Sequence, residues 1–146
     1  MQTEDELLSE WRRSRTSSRH YFRLQQDCVE EFEFKGPQWG HPSNYAHTRF
    51  HCRPADRLLF AVQTRWPNHL SEAYCDALGR VIGCAIVDGL MTSYYPYRGC
   101  SVTLVDVGWD DVMSSEVAFY RSAKGAMDAL RSNGAWTLID GETNSR

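Results

Sequence analysis

Long apolar runs are missing from this chain, and so is the pattern of an export signal. No run approaches the roughly 20 apolar residues that a membrane-spanning helix needs. The chain starts Met-Gln-Thr-Glu-Asp-Glu, which is acidic where a secretory signal is basic and then apolar. We therefore predict a cytoplasmic protein with no membrane partner.

Paired cysteine motifs are also missing. The chain has five cysteines, an odd number, and no two of them form a CxxC or CxC pair. Disulfide frameworks use even numbers of cysteines, and zinc knuckles use closely spaced pairs. The cysteines are therefore predicted to be reduced and mostly buried thiols.

The chain lacks the basic excess of most nucleic-acid-binding proteins. Its formal net charge is −3 and its sequence pI is about 5.9. Binding to phosphates would therefore have to rest on a local patch. Residues 12–20, which hold four arginines and a histidine, offer one such patch, either as an RNA-contacting arm or as a solvated segment that leads into the fold.

Motifs of known enzymes are missing as well. There is no Walker loop, GxGxxG, EF-hand or Gly-x-Ser-x-Gly element. His41, His47, His51 and Cys52 lie within twelve residues but match no strict zinc motif. Carboxylates in a polar turn, at Asp110 and Asp111, are more often solvated or capping than catalytic. We therefore predict that the protein is not an enzyme and holds no cofactor and no metal.

The most informative segment runs from Gly99 to Gly134. It starts with a strand that turns Val102, Leu104 and Val107 to one face. A polar turn follows, and then a helix that Ser114 or Ser115 caps, with Glu116 favoured by the helix dipole. Gly134 is expected to end this helix in a left-handed conformation.

The rest of the chain adds more strands and one longer helix. Residues 20–35, 45–52 and 58–63 have strand patterns and suggest an antiparallel meander. A helix is predicted from Asn68 to Leu90, and residues 135–139 form a short terminal strand. The fold class is therefore α+β, a single sandwich of a four-stranded, mostly antiparallel sheet with two helices on one face.

Three regions follow from these patterns. Residues 1–18 form an N-terminal segment, predicted to be an amphipathic helix that carries Leu7, Leu8 and Trp11 and is followed by a linker. Residues 19–139 form one domain, and residues 140–146 form a tail.

Several motifs in the domain match one known family. The segments Gly-Trp-Asp-Asp-Val (108–112) and Ser-Ser-Glu-Val-Ala-Phe (114–119) resemble the signature of domain IV of translation elongation factor G. The strand Ser-Val-Thr-Leu-Val-Asp (101–106) and the turn Tyr-Pro-Tyr-Arg (95–98) are similar to the family's preceding strand and link. Ser-Asn-Tyr-Ala-His (43–47) is similar to the family's Gly-Gln-Tyr-Gly-His loop. The order and spacing fit from about Arg19 to Gly134.

The resemblance implies a ribosomal protein S5 domain 2-like fold with a left-handed βαβ crossover. In elongation factor G, loops at the strand ends form a tip that enters the decoding site of the small ribosomal subunit and contacts messenger and transfer RNA. Matched by position, the implied contact residues are Trp109, Asp110, Asp111 and Met113, with Asn44, Tyr45 and His47 beside them.

This chain departs from the family at four positions of the tip. The family's tip histidine is Asp110 here, and the aspartate before the paired serines is Met113. The glycines beside the tyrosine are Ser43 and Ala46. An acidic tip repels phosphate unless a magnesium ion intervenes.

Two functions are compatible with these observations. The first is a stand-alone, non-enzymatic module without the GTPase domain that binds the small ribosomal subunit or RNA through its tip. The second is a structural or protein-interaction module without a ribosomal role. One form of it is a homodimer made through the segment with Leu7, Leu8 and Trp11.

Overall fold

The structure, a computed structural model, describes residues 20–36 and 45–140. The predicted amphipathic helix and linker, the tip residue Asn44 and the tail beyond Asp140 lie outside these residues. The elements are, in chain order, β1 (His20–Leu24), β2 (Cys28–Lys35), β3 (Tyr45–Pro54), β4 (Leu59–Val62), α1 (Glu72–Leu90), β5 (Cys100–Gly108), α2 (Glu116–Asn133) and β6 (Trp136–Asp140).

The described strands form two sheets. The larger has the order β2-β3-β5-β4, and in it β2 and β5 are antiparallel to β3 while β4 is parallel to β5. The smaller sheet pairs β1 with β6 in antiparallel orientation. The α+β class is therefore confirmed.

The expectation of a single sheet is wrong. Residues 25–27 interrupt the predicted strand 20–35, so that β1 separates from β2. β1 then pairs with β6, with His20 opposite Asp140 and Leu24 opposite Trp136. β6 thus reaches one residue past the domain boundary predicted at 139.

The predicted antiparallel meander is also wrong beyond β3. β5 lies between β3 and β4, and β4 pairs with it in parallel orientation. Parallel neighbours cannot be joined by a tight turn and need a crossover connection. Helix α1 is part of that connection.

Both helices cover the same face of the larger sheet. Ser122 of α2 contacts Thr48 of β3 through their hydroxyls at 2.8 Å and donates a hydrogen bond to the carbonyl of Phe32 at 2.7 Å. Gly79 of α1 faces Val62, because a Cβ there would lie 4.0 Å from Val62 Cγ2. Val62 is two residues from buried Phe60 in β4, so both side chains lie on the sheet face that the helices cover. The core between these layers contains Phe50, Phe60, Phe119, Leu78, Ile82, Ile86, Leu104 and Met127.

A bulge in β5 explains why Val107 faces the core. The register moves from Phe50 opposite Leu104 to Arg49 opposite Asp106, which leaves Val105 without a partner. In a regular strand, Val107 and Leu104 would lie on opposite faces of the sheet, because they are three residues apart. The extra residue restores it to the core face, where Val107 packs as the sequence pattern predicted.

Two predicted helix ends need correction. α1 begins at Glu72 instead of Asn68, because residues 67–70 form a turn (Leu70 N–H to Pro67 O, 3.1 Å) and Ser71 Oγ accepts from Tyr74 N–H at 3.1 Å. Gly134 follows α2 with φ −70° and is not left-handed. A Cβ there would lie 2.7 Å from Trp136 Nε1, so close approach is what favours glycine.

The sheet of β1 and β6 lies at the C-terminal end of α2. Tyr97 stacks on Phe22 of β1 at 4.5 Å between ring centroids and meets Trp136 of β6 edge-on at 5.0 Å. The amide of Leu24 donates to the carbonyl of Gly99 at 3.0 Å, which joins β1 to the start of β5. In the part of the chain that is described, neither helix is both long and apolar enough to cross a membrane.

Candidate functional site

The loop between β5 and α2 meets the first residue of β3, and together they form what we call the tip: residues 109–115 and Tyr45. β3 and β5 are antiparallel, with His47 opposite Gly108, so the start of one lies beside the end of the other. The β–turn–α unit that the sequence predicted is therefore present, with its turn next to Tyr45.

Asp110 holds the tip loop in shape. Its Oδ1 accepts hydrogen bonds from the amides of Val112 and Met113, both at 2.9 Å. Its own amide donates to Ser114 Oγ at 2.9 Å, and its carbonyl accepts from the amide of Ser114 at 2.9 Å. Short polar side chains favour such turns because they satisfy backbone amides locally.

Ser114 joins the loop to β3. Its hydroxyl donates to the carbonyl of Tyr45 at 2.8 Å, and the amide of Tyr45 donates to the carbonyl of Met113 at 3.1 Å. The two predicted capping serines thus have different partners. Ser115 is the N-cap of α2, where its Oγ accepts from Ala118 N–H at 3.2 Å, and Glu116 occupies the first turn.

Trp109 faces the core more than the solvent. Its ring stacks on Phe119 at 5.9 Å between centroids and meets Tyr74 edge-on at 6.0 Å. Its Nε1 donates to Asp111 Oδ1 at 2.6 Å. The indole ring therefore anchors the loop to α1 and α2.

His69 contacts the tip, although the sequence predictions did not include it. Its Nε2 lies 2.7 Å from Asp111 Oδ1, across 42 positions of sequence. The hydrogen bonds from Trp109 and His69 lower the pKa of Asp111 below its ordinary value. The residues around His69 in the sequence do not indicate this contact with Asp111.

The exposed surface of the tip is apolar and acidic. Val112 is 73% exposed and Met113 37%, and Val117 on the first turn of α2 is 55% exposed. Asp110, Asp111 and Glu116 are exposed too, whereas residues 109–117 contain no lysine or arginine.

Tyr45 and His47 lie across the end of β5, on the sheet face away from the helices. A Cβ at Gly108 would lie 2.6 Å from the Tyr45 hydroxyl and 2.8 Å from His47 Cβ, so this approach requires glycine. His47 Nε2 lies 2.8 Å from Glu31 Oε1, and the Tyr45 hydroxyl donates to Glu33 Oε2 at 3.4 Å. Burial and the nearby Glu33 raise the pKa of Tyr45.

No metal-binding group is assembled within residues 20–36 and 45–140, where three or more His, Cys, Asp or Glu side chains nowhere converge. His47 and His51 share a face as their spacing predicts, but His51 faces Asp27 at 3.4 Å while His47 faces Glu31. His41 lies outside the described residues.

All five cysteines are free thiols. Cys28 lies directly opposite Cys52 in the β2–β3 ladder. Burial raises the pKa of the Cys52 and Cys100 thiols far above the ordinary value, so these two are poor nucleophiles.

Comparison with known proteins identifies the fold alone. No family model matches the chain, and no curated protein matches it. Among solved structures, the crystal structure of the protein ttk003000868 from Thermus thermophilus aligns with 84% of this chain at a TM-score of 0.64 and 18% sequence identity. The aligned part is 18% of that protein's length, so the fold described here corresponds to one part of that larger protein.

Proposed function

We propose that this chain is a non-enzymatic, translation-factor-like module with a ribosomal protein S5 domain 2-like fold, and that its tip binds the small ribosomal subunit or RNA. The observation that carries the proposal is the junction of the two loops that the resemblance to elongation factor G domain IV selects. Tyr45, Met113 and Ser114 join them through two hydrogen bonds. A loop pair held in this way presents one preorganised surface.

The charges of the tip are compatible with this role because both carboxylates already have hydrogen-bond partners within the protein. Asp110 accepts two amide hydrogen bonds, and Asp111 is paired with His69 and Trp109. The exposed apolar side chains that the tip offers to a partner are Val112 and Met113. These apolar groups suit insertion between bases or against ribosomal protein better than contact with phosphate.

The second candidate is a protein-interaction module without a ribosomal role, including a homodimer. The exposed Val112 and Met113 beside acidic groups favour it, because apolar side chains at the centre of a contact with a charged rim are typical of protein interfaces. Light scattering of the full chain tests the homodimer directly.

Co-sedimentation with purified small ribosomal subunits tests the first candidate. We expect the protein to pellet with the subunits, and the double variant Val112→Asp, Met113→Asp to weaken binding about tenfold or more, since charges replace the apolar contact. Substitutions of Trp109 or Asp110 are less informative, because they would distort the loop itself.

Leu138→Asp is the matched control. Leu138 is 43% exposed on β6, at the other end of α2 from the tip, which a helix of 18 residues places roughly 27 Å away. This variant should bind as the parent protein does. No co-sedimentation of the parent protein would contradict the ribosomal role, and equal binding by both variants would contradict the tip as the contact. Protein-free ribosomal RNA in place of subunits shows whether RNA suffices.

A further inference from the structure

A groove lies along the outer edge of β4, away from the tip loops. It has a volume of about 580 Å³ and is lined by Phe60, Val62 and Trp66 on one side and by Cys75, Gly79 and Arg80 on the other. β4 is the last strand of its sheet, and no described strand lies beyond it. The groove therefore combines an open sheet edge with a wall that mixes apolar side chains with the charged Asp76 and Arg80.

The backbone of β4 presents hydrogen-bonding groups to this groove. The amide of Gln63 donates to the carbonyl of Leu104 at 2.9 Å, and this bond shows which residues of β4 face β5. Residues in a parallel strand alternate between bonding to one neighbour and to the other. Leu59 and Ala61 therefore bond to β5, whereas the N–H and C=O groups of Phe60 and Val62 point outward.

One arginine lines the groove, and two more flank β4 along the chain. Arg57 precedes β4, Arg65 follows it, and Arg80 lines the groove; all three are exposed, and none forms an ion pair within the described residues. Asp76 is an acid in the lining. Arg80 and Asp76 balance within the lining, and Asp56 beside Arg57 is paired with Arg23. The excess positive charge around β4 therefore comes from Arg57 and Arg65 at its two ends, although the whole chain carries a net charge of −3.

We propose that this edge and groove bind an extended, acidic segment of a partner protein as an added strand antiparallel or parallel to β4. Backbone bonds to Phe60 and Val62 would hold the segment, apolar side chains of the segment would fill the groove beside Gly79, and its carboxylates would pair with the three arginines. Strand addition to an exposed sheet edge is a common mode of peptide recognition. A nucleic acid has no peptide backbone that could pair with the outward N–H and C=O groups of β4.

Gly79 is the position at which the groove can be filled without disturbing the core. A Cβ there meets only Val62 Cγ2, at 4.0 Å. Gly79→Leu should therefore occupy the groove while the fold is retained, which thermal unfolding checks. Arg80→Glu reverses a charge in the lining. Arg53→Glu is its matched control, because Arg53 follows buried Cys52 in β3 and so lies on the opposite face of the sheet.

The test uses a fluorescein-labelled nine-residue peptide of alternating glutamate and leucine, and the same peptide with lysine in place of glutamate. Fluorescence anisotropy should show the glutamate peptide binding about tenfold or more tightly than the lysine peptide, since the charge complementarity favours it. Gly79→Leu and Arg80→Glu should each weaken binding about tenfold, and Arg53→Glu should not. Hydrogen exchange at the amides of Phe60 and Val62 should slow when the glutamate peptide binds.

Three results would overturn the proposal. Binding that is equal for the two peptides, or unchanged in Arg80→Glu, removes the charge argument. Displacement of the glutamate peptide by oligouridylate assigns the site to RNA. A dimer in light scattering that Gly79→Leu converts to a monomer assigns the groove to a second copy of the chain.

Discussion

Ser114 illustrates how a single hydroxyl can determine the geometry of the tip. It accepts a hydrogen bond from the amide of Asp110 and donates one to the carbonyl of Tyr45, so it connects two segments 69 positions apart. Ser115, its neighbour, only caps a helix. The position that matters most for the tip is therefore the one whose partner lies far away in sequence.

We expect Ser114→Ala to lower the free energy of unfolding by about 1–2 kcal/mol, because both partners lose their bond and one of them is partly buried. Urea denaturation measures this. Ser132→Ala is the control, since its hydroxyl only bonds the carbonyl of Asp128 on the exposed surface of α2, and it should change stability by less than about 0.5 kcal/mol. Equal effects of the two substitutions would contradict a joining role for Ser114.

The lowered pKa of Asp111 predicts that the stability of the fold depends on pH. Its pKa is lower in the folded protein than its ordinary value of 3.8, chiefly through the hydrogen bonds from Trp109 and His69. A lowered folded pKa contributes stability that is present above the unfolded pKa and is lost as pH falls through the folded pKa. Asp111→Asn should therefore melt below the parent protein at about pH 5–7.

The difference between the two melting temperatures should shrink as the pH falls below 3.8 and vanish once Asp111 is protonated in the folded state as well. Thermal unfolding followed by circular dichroism across this range measures it. A difference that stays constant down to about pH 2 would show that the charge of Asp111 does not act through these contacts.

At the scale of elements, the close packing of α1 on α2 depends on Gly89. A Cβ at Gly89 would lie 2.6 Å from Met127 Cβ, which is too close for real atoms, whereas a Cβ at Gly79 meets open space apart from Val62. Both glycines lie inside α1, so their intrinsic helix propensities are the same. Their different surroundings should reverse the sign of the same substitution.

We expect Gly89→Ala to destabilise the fold by about 1–3 kcal/mol, because the overlap forces the helices apart. Gly79→Ala should instead stabilise it by about 0.5–1 kcal/mol through the helix propensity of alanine. Chemical denaturation of the two variants side by side is the measurement. Stabilisation by Gly89→Ala would mean that the helices do not approach as closely as the structure places them.

At the scale of the whole molecule, the larger sheet and the β1–β6 sheet should differ in local stability. β3 and β5 are central strands, and Phe50, Cys52 and Val102 are fully buried. Among the described strands β6 pairs with β1 alone, and Leu138 on it is 43% exposed. Two-stranded sheets with little burial are marginal alone and open more readily than a buried sheet.

Native-state hydrogen exchange should therefore find the amides of Phe50 and Val102 exchanging only through global unfolding, and those of Thr137 and Ile139, which face β1, exchanging through a local opening of lower free energy. Denaturant dependence separates the two, since local opening depends only weakly on denaturant. Equal protection in both sheets would show that the aromatic contacts of Tyr97 with Phe22 and Trp136 bind the smaller sheet firmly to the rest.

The parts of the fold that sequence reasoning predicts correctly are those controlled by neighbours along the chain. The unit from Val102 to Leu130 follows from strand alternation, a serine cap and helical spacing, all of which act within a few residues. The face assigned to Val107 is also correct, although strand alternation does not predict the bulge at Val105 that turns it inward.

The parts that it misses depend on partners far away in the chain. A strand pattern at residues 20–35 does not indicate that β1 leaves the sheet for β6, and the pattern at 58–63 does not indicate that β4 pairs with β5 instead of β3. Likewise, His69 approaches Asp111 and Gly79 opens a groove beside Val62 because α1 crosses from one strand to its parallel neighbour. Local periodicity specifies which residues are strand or helix and which face is apolar, whereas pairing and site geometry arise from the competition among long-range contacts for one shared core.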